Sequence, residues 1–127
     1  MSMEHRTTAD LREYLHAVDL AYFDGHLEEL GVEIRWMRCR DRSAPKRVGT
    51  YQADKALIEI ARHLAVRTIP RFYVMYVVFH EACHAVYDPT GHGRAFTIAE
   101  KQFLFHYEVA QWLELDEPWP EAPKGLR

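Results

Sequence analysis

Hydrophobic residues recur at helical spacing near the start of the chain and at strand spacing in its middle. Apolar residues three and four positions apart predict a first helix over residues 10–22, with Thr7 or Thr8 as its N-cap. Apolar and charged residues alternate over 32–36, as they do in a half-buried strand. Two further short strands, joined by a turn, are predicted at 47–52 and 56–61.

A long apolar stretch predicts a second, buried helix. Residues 72–79 are apolar or aromatic on every side, which is typical of a helix buried all round, and this helix is expected to run from about residue 70 to residue 87. A last helix is expected over about 94–113. Helices flanking three short strands predict an α+β fold, in which a small antiparallel or mixed sheet packs on the buried helix.

Length and composition fit one small domain over residues 1–127, with a core of about 10–113 and a proline-rich tail at 114–127. The formal net charge of −3 excludes a general polyanion binder. Two cysteines, Cys39 and Cys83, are too few for a structural zinc site built from four of them. No signal peptide is visible, so a cytoplasmic location is expected. A monomer without membrane contact is also expected.

The run His80-Glu81-Ala82-Cys83-His84 falls within the predicted buried helix. Residues four apart share one face of a helix, so His80 and His84 can bind a single zinc ion. Glu81 is placed to take a proton from a water molecule that the ion activates. Two histidines that merely pack on an ordinary helix are the alternative, but a buried carboxylate between them would then be costly. The run therefore predicts a catalytic zinc site.

Catalytic zinc usually has three protein ligands, and two residues compete for the third position. His92 is favoured, because Gly91 and Gly93 on either side allow the chain to turn sharply back toward the ion. Glu100, on the last predicted helix, is the rival and would give a site of two histidines and one glutamate.

An ordered set of short segments resembles the SprT-like metallopeptidase domain. The segments are VGTY at 48–51, IEI at 58–60, RFYV at 71–74, HEACHA at 80–85 and HGRAF at 92–96, with YFDGHL at 22–27 and EVAQWL at 108–113 nearer the ends. The resemblance covers roughly residues 10 to 113. The HEACH run alone is shared with other zincins, whereas the ordered set is much more specific.

The resemblance implies a zincin-like fold and one catalytic zinc ion bound by His80, His84 and His92, with Glu81 as the general base. The resemblance also extends to the Spartan-type proteases, which digest proteins crosslinked to DNA. It therefore implies a role in DNA–protein crosslink repair. Many members of the family carry a cysteine-rich zinc ribbon or a DNA-binding extension after the protease core. No such segment follows residue 113 in this sequence.

Six cationic residues lie within a short stretch that runs from the first predicted strand to the first residue of the second. They are Arg35, Arg38, Arg40, Arg42, Lys46 and Arg47. Such a cluster can hold a nucleic-acid backbone or an acidic peptide, and the slightly favoured alternative is a solvated face of a strand and loop. Trp36 falls on the apolar side of its strand, so core packing is expected for it rather than base stacking.

Three functions are compatible with these residues. The first is a zinc-dependent endopeptidase acting on protein or peptide substrates, with Glu81 as proton carrier and a further donor for the oxyanion. Candidates for that donor are Tyr87, Arg94, His106 and Tyr107. The second is a metal-stabilised module that binds DNA or protein without turnover, although structural zinc sites normally have four protein ligands. The third is a zinc hydrolase acting on a non-peptide amide.

Overall fold

A computed structural model of the chain describes residues 5–37, 48–87, 94–101 and 103. The helices are α1 (Thr8–Val18), α2 (His26–Glu29), α3 (Arg71–Val86) and α4 (Arg94–Lys101). The strands are β1 (Glu33–Trp36), β2 (Gly49–Gln52) and β3 (Leu57–Ile60). A π-helical turn, Asp19–Phe23, continues α1, and a 3₁₀ turn, Arg62–Ala65, precedes α3. The described part of the chain is therefore a small α+β structure, as predicted.

The three strands form one mixed sheet in the order β1-β3-β2. β3 is central, with β1 parallel to it and β2 antiparallel to it. The predicted alternation over 32–36 is confirmed, because Ile34 and Trp36 are buried while Glu33 is exposed. The sheet is mixed because β2 returns beside β3 through the short turn at 53–56, whereas β1 joins from much earlier in the chain.

Helix α3 supplies much of the hydrophobic core, so the predicted helix is present, but it is not buried on every side: Phe72 and Met75 are partly exposed. Its buried residues include Tyr73, Val74, Val77, Val78 and Phe79, each at most 1% exposed. The helix contacts α1 and α4 as well as β2 and β3. Burying one large apolar side chain contributes about 1.5–3 kcal/mol, so this helix supplies a large share of the apolar driving force for folding.

The first predicted helix begins as expected but does not continue as one regular helix to residue 22. Thr7 is the N-cap and forms a capping box with Asp10. The α-helix ends at Val18 and a π-helical turn follows it. The buried Asp19 carboxylate in this turn accepts hydrogen bonds from the backbone N–H groups of Leu27 and Glu28, at 2.9 and 3.1 Å. Asp19 thereby caps α2, an element that the sequence pattern did not predict.

Arg6 anchors the N-terminal segment to the chain that leads into α3. Its guanidinium is buried and donates hydrogen bonds to the carbonyl oxygens of Leu64, Val66 and Ile69 at 2.9–3.4 Å, and to the hydroxyl of Tyr14 at 3.1 Å. Several acceptors of this kind compensate the cost of burying the charge. The position of α3 relative to α1 is therefore fixed by hydrogen bonds as well as by apolar packing.

The last predicted helix is described only in its first part. Helix α4 covers Arg94–Lys101, and Phe103 just beyond it is buried. The remainder of the predicted helix and the tail at 114–127 lie outside the described residues. None of the helices in the described ranges combines the length and apolar composition needed to cross a membrane.

Ala56, in the turn between β2 and β3, has a backbone conformation that suits glycine. Its φ of 49° lies in the left-handed region, which costs a residue with a Cβ atom roughly 1–2 kcal/mol. We expect Ala56→Gly to raise the free energy of unfolding by about 0.5–1 kcal/mol, because relieved strain exceeds the entropy gained by the unfolded chain. Urea unfolding measures the change. Ala53→Gly in the same turn is the matched control and should destabilise; a less stable Ala56→Gly protein would contradict the prediction.

Asp10 should make the fold sensitive to acid. A hydrogen bond from the Thr7 backbone N–H lowers the pKa of Asp10 below its usual value; burial opposes this shift, and the nearby Arg67 adds to it. The stabilisation is therefore present above about pH 4, the pKa of an unfolded aspartate, and is lost as pH falls through the lower folded value. Urea unfolding should give Asp10→Asn a lower free energy of unfolding than wild type at pH 7. The difference between the two proteins should disappear in strong acid. Glu13→Gln on the exposed face of α1 is the control. A difference between Asp10→Asn and wild type that persists in strong acid would contradict the prediction.

Candidate metal centre

Helix α3 carries both histidines of the HEACH run on one face. The ring centroids of His80 and His84 are 5.2 Å apart, and the rings meet edge to face at 76°. Both side chains are partly exposed, whereas the three residues between them, Glu81, Ala82 and Cys83, are buried. Because each zinc–imidazole bond is about 2.0–2.1 Å long, two rings at this separation can bind one ion between them. The predicted pair of ligands is thus brought together on one accessible face.

Glu81 lies on the side of α3 that packs against the sheet. Its residue exposure is only 5%. Its carboxylate approaches the backbone of β2 closely: an ideal Cβ atom built on Gly49 would lie 3.1 Å from both Cγ and Oε2 of Glu81. The carboxylate is therefore confined between α3 and the first residue of β2, beside the two histidines in sequence.

An aromatic cluster, made of Tyr22, Phe23, Tyr76, Phe79 and Phe103, packs behind His80. The Phe103 ring lies 4.9 Å from Phe79 and 5.7 Å from Tyr76, centroid to centroid, and Tyr76 lies 6.2 Å from the His80 ring. Aromatic pairs in such geometries contribute about 0.5–1.5 kcal/mol beyond their buried area. The cluster holds the chain just after α4 against the helix that carries the histidines. The sequence did not predict this cluster, since Tyr22 was expected to end a regular helix and Phe23 to follow it.

The third ligand is not determined by the described residues. His92 lies outside them, and Glu100 lies in α4 but its side chain is not described. Within 5–37, 48–87, 94–101 and 103, no group of three or more histidine, cysteine, aspartate or glutamate side chains is placed to hold a metal ion. Two imidazoles four residues apart on one helix are nevertheless donors that zinc accepts, so the two described ligand candidates fit the ion.

The predicted nucleic-acid-binding residues are mostly outside the described part of the chain. Arg35 is described, and its Nε donates to Oε2 of Glu59 at 2.8 Å. Gln52 donates to the other oxygen of the same carboxylate at 2.7 Å. Because Ile34 and Trp36 face the core, Arg35 lies on the opposite face of the sheet, away from α3. The other five cations, Arg38, Arg40, Arg42, Lys46 and Arg47, are not described.

Other residues singled out by sequence have clear places. Trp36 is 8% exposed, which confirms core packing. Cys83 is fully buried in α3, as expected of a packing residue, whereas Cys39 lies outside the described residues. Among the candidate oxyanion donors, Tyr87 follows α3 with 43% exposure and Arg94 begins α4 and is exposed. His106 and Tyr107 are not described.

A cavity of about 420 Å³ lies on another side of the molecule, between α1, α2 and β1. Its floor includes Leu15, Leu27 and Ile34, and its rim includes Arg12 and Glu33. The residues that line it do not include those of the HEACH run. It is therefore separate from the candidate metal centre.

The chain was compared with known proteins at three levels. No family model, no curated protein and no solved structure matches it. The resemblance to the SprT-like domain accordingly rests on the short segments quoted above and stays a prediction.

Proposed function

We propose that this protein is a zinc-dependent endopeptidase with a zincin-like fold. One observation carries the proposal: His80 and His84 present partly exposed rings 5.2 Å apart on one helix, and Glu81, the next residue after His80, is buried against β2. Two imidazoles on one face of a helix are ligands that zinc accepts, and a carboxylate next to the first of them in sequence is the kind of base that a metal-activated water needs.

Zinc would be held by His80 and His84, with His92 as the favoured third ligand and Glu100 as its rival. When bound, the ion supplies a Lewis acid that lowers the pKa of water toward about 7 and polarises a carbonyl group. Glu81 then acts as the proton carrier: it accepts a proton from the attacking water and delivers it to the leaving amine. Its close packing against β2 limits the positions that its carboxylate can take.

Strand β2 is the best candidate for holding the substrate. It is an edge strand of the sheet, and no further strand pairs with it among the residues that the structure describes. Its four residues are partly exposed, and its first residue contacts Glu81. An extended peptide can add to such an edge through main-chain hydrogen bonds, which would bring its backbone next to the proposed base. This arrangement favours a peptide over a non-peptide amide.

A DNA-linked role is a separate proposal with less support. It rests on the resemblance to Spartan-type proteases and on the basic stretch from Arg35 to Arg47. Arg35 already pairs with Glu59, so a phosphate would have to compete with that carboxylate for its guanidinium. DNA is proposed only as an activator of the peptidase, and its addition to the cleavage assay tests this.

Zinc binding tests the ligands directly. We expect purified protein to bind about one zinc ion per chain. His80→Ala or His84→Ala removes a direct ligand, so zinc affinity should fall by more than the roughly 10–100-fold that loss of an outer-shell residue causes. Metal analysis after dialysis against a competing chelator measures this. His26→Ala is the matched control, since that exposed ring pairs with Glu29 on α2. Comparing His92→Ala with Glu100→Ala identifies the third ligand, for which we expect His92. Equal zinc retention by His80→Ala, His84→Ala and His26→Ala would refute the site.

Glu81→Gln tests the proposed chemistry. Glutamine keeps the shape of the side chain but cannot accept the proton, so we expect kcat to fall about 10²–10⁴-fold with zinc still bound. The assay is cleavage of an unfolded protein, with and without chelator and with and without DNA. Glu33→Gln, on the exposed position of β1, should cleave at the native rate.

Two outcomes would count against this function. A zinc-loaded Glu81→Gln protein that cleaves at the native rate would refute the role of Glu81 as base. Consistent absence of metal-dependent cleavage by the wild type, including with DNA added, would favour the non-catalytic binding module instead.

A further inference from the structure

Gly49 occupies a position where the backbone itself does not require glycine. It is the first residue of β2 and pairs with Ile60 of β3 in the ladder. Its φ is not in the left-handed region, unlike those of Gly25 and Gly31. Glycine within a strand weakens it and often marks a close approach of another group. The reason for glycine at this position must therefore lie in what it contacts.

The three nearest neighbours of a side chain at position 49 come from one helix. A Cβ atom at this position would lie 3.1 Å from Cγ and Oε2 of Glu81 and 3.1 Å from Cγ1 of Val77. These distances are tighter than nearly all real contacts of a Cβ atom, so a neighbour would have to move. Val77 is fully buried in the core, whereas Oε2 is the end of a longer side chain with more torsional freedom. The carboxylate of Glu81 is the group that would move.

We propose that Gly49 is the positioning residue for Glu81: the missing side chain leaves the space in which the carboxylate is held beside α3. The catalytic role of Gly49 rests on the proposed function, since displacing the carboxylate affects catalysis only if Glu81 carries the proton. Gly49 lies on β2, whereas the HEACH run lies on α3. A misplacement of about 1 Å at a reacting group can cost on the order of 10²-fold in rate.

The first experiment separates binding from chemistry in the zinc-loaded protein. Gly49→Ala should lower kcat about 10–100-fold while KM changes less than about twofold and zinc binding stays native, because a displaced base affects the chemical step rather than the ligands. Gly31→Ala is the matched control: it also adds a methyl group to a glycine and strains the backbone at φ +72°, but its Cβ would have nothing within 4 Å. It should lose stability and keep the native kcat. If Gly49→Ala folds poorly, the double variant Gly49→Ala/Val77→Ala removes one contact in the core and should still show the loss of kcat.

The second experiment needs no activity at all. Thermal unfolding of the metal-free protein gives the loss of midpoint temperature caused by Gly49→Ala, first with Glu81 present and then in a Glu81→Ala background. Removing the Glu81 side chain deletes two of the three close contacts, so the loss should fall to less than about half. Gly31→Ala should cause the same loss in both backgrounds, as expected for distant sites.

The outcomes distinguish this inference from the proposed function. An equal loss of midpoint temperature in both backgrounds, or a native kcat in Gly49→Ala, would overturn the role of Gly49 even if the protein is a peptidase. A wild type that never cleaves would overturn the peptidase, and the unfolding cycle would still decide whether Gly49 sets the position of the Glu81 carboxylate.

Discussion

A single carboxylate inside the apolar packing of α3 is the constraint on which the site depends. Removing an ionised carboxylate from water costs several kcal/mol unless other groups compensate, and Glu81 is almost completely buried. The helix around it cannot turn to expose that carboxylate without bringing Val77, Val78 or Phe79 into water. The apolar residues therefore hold the Glu81 side chain in place. The buried side of α3 thus sets the position of the proposed base, while the partly exposed side carries the two histidines.

The orientation of α3 is secured from both ends of the described chain. At one end, Arg6 binds three carbonyl oxygens in the segment before the helix. At the other, Phe103 packs into the aromatic cluster on its outer side. The π-helical turn contributes to the same cluster, because it places Tyr22 against Phe79 at 5.0 Å. Elements distant in sequence thus hold α3 in one orientation. A site built on this helix is held in place by the same contacts.

The parts of the structure that depend on local sequence were predictable, and those that depend on distant contacts were not. His80 and His84 lie four residues apart on one helix, so their spacing alone was enough to expect them on a common face. The alternation around Ile34 identified a strand but not its neighbour, because a period of two residues carries no information on pairing. The buried Arg6 gave no periodic signal, and its acceptors are about 60 residues away.

The close approach of Gly49 to Glu81 was likewise invisible in the sequence, because it is created by packing a strand on a helix. α2 could not be expected either, since its four residues are too few for an amphipathic pattern and its first turn is capped by Asp19 from outside the helix. The sequence therefore predicted the proposed ligands and base, whereas the surroundings that confine the base required the structure.

The order of strands in the sheet has a consequence for how the molecule forms. β2 and β3 are joined by a four-residue turn and can pair as soon as both are made, whereas β1 pairs with β3 across 24 residues. Closing the longer loop costs more chain entropy, so β1 should join a hairpin that already exists. During synthesis β1 is made before β3, the strand with which it pairs. Until β3 has been made, α1 is the earlier element that contacts β1 and can shield Ile34 and Trp36 from water.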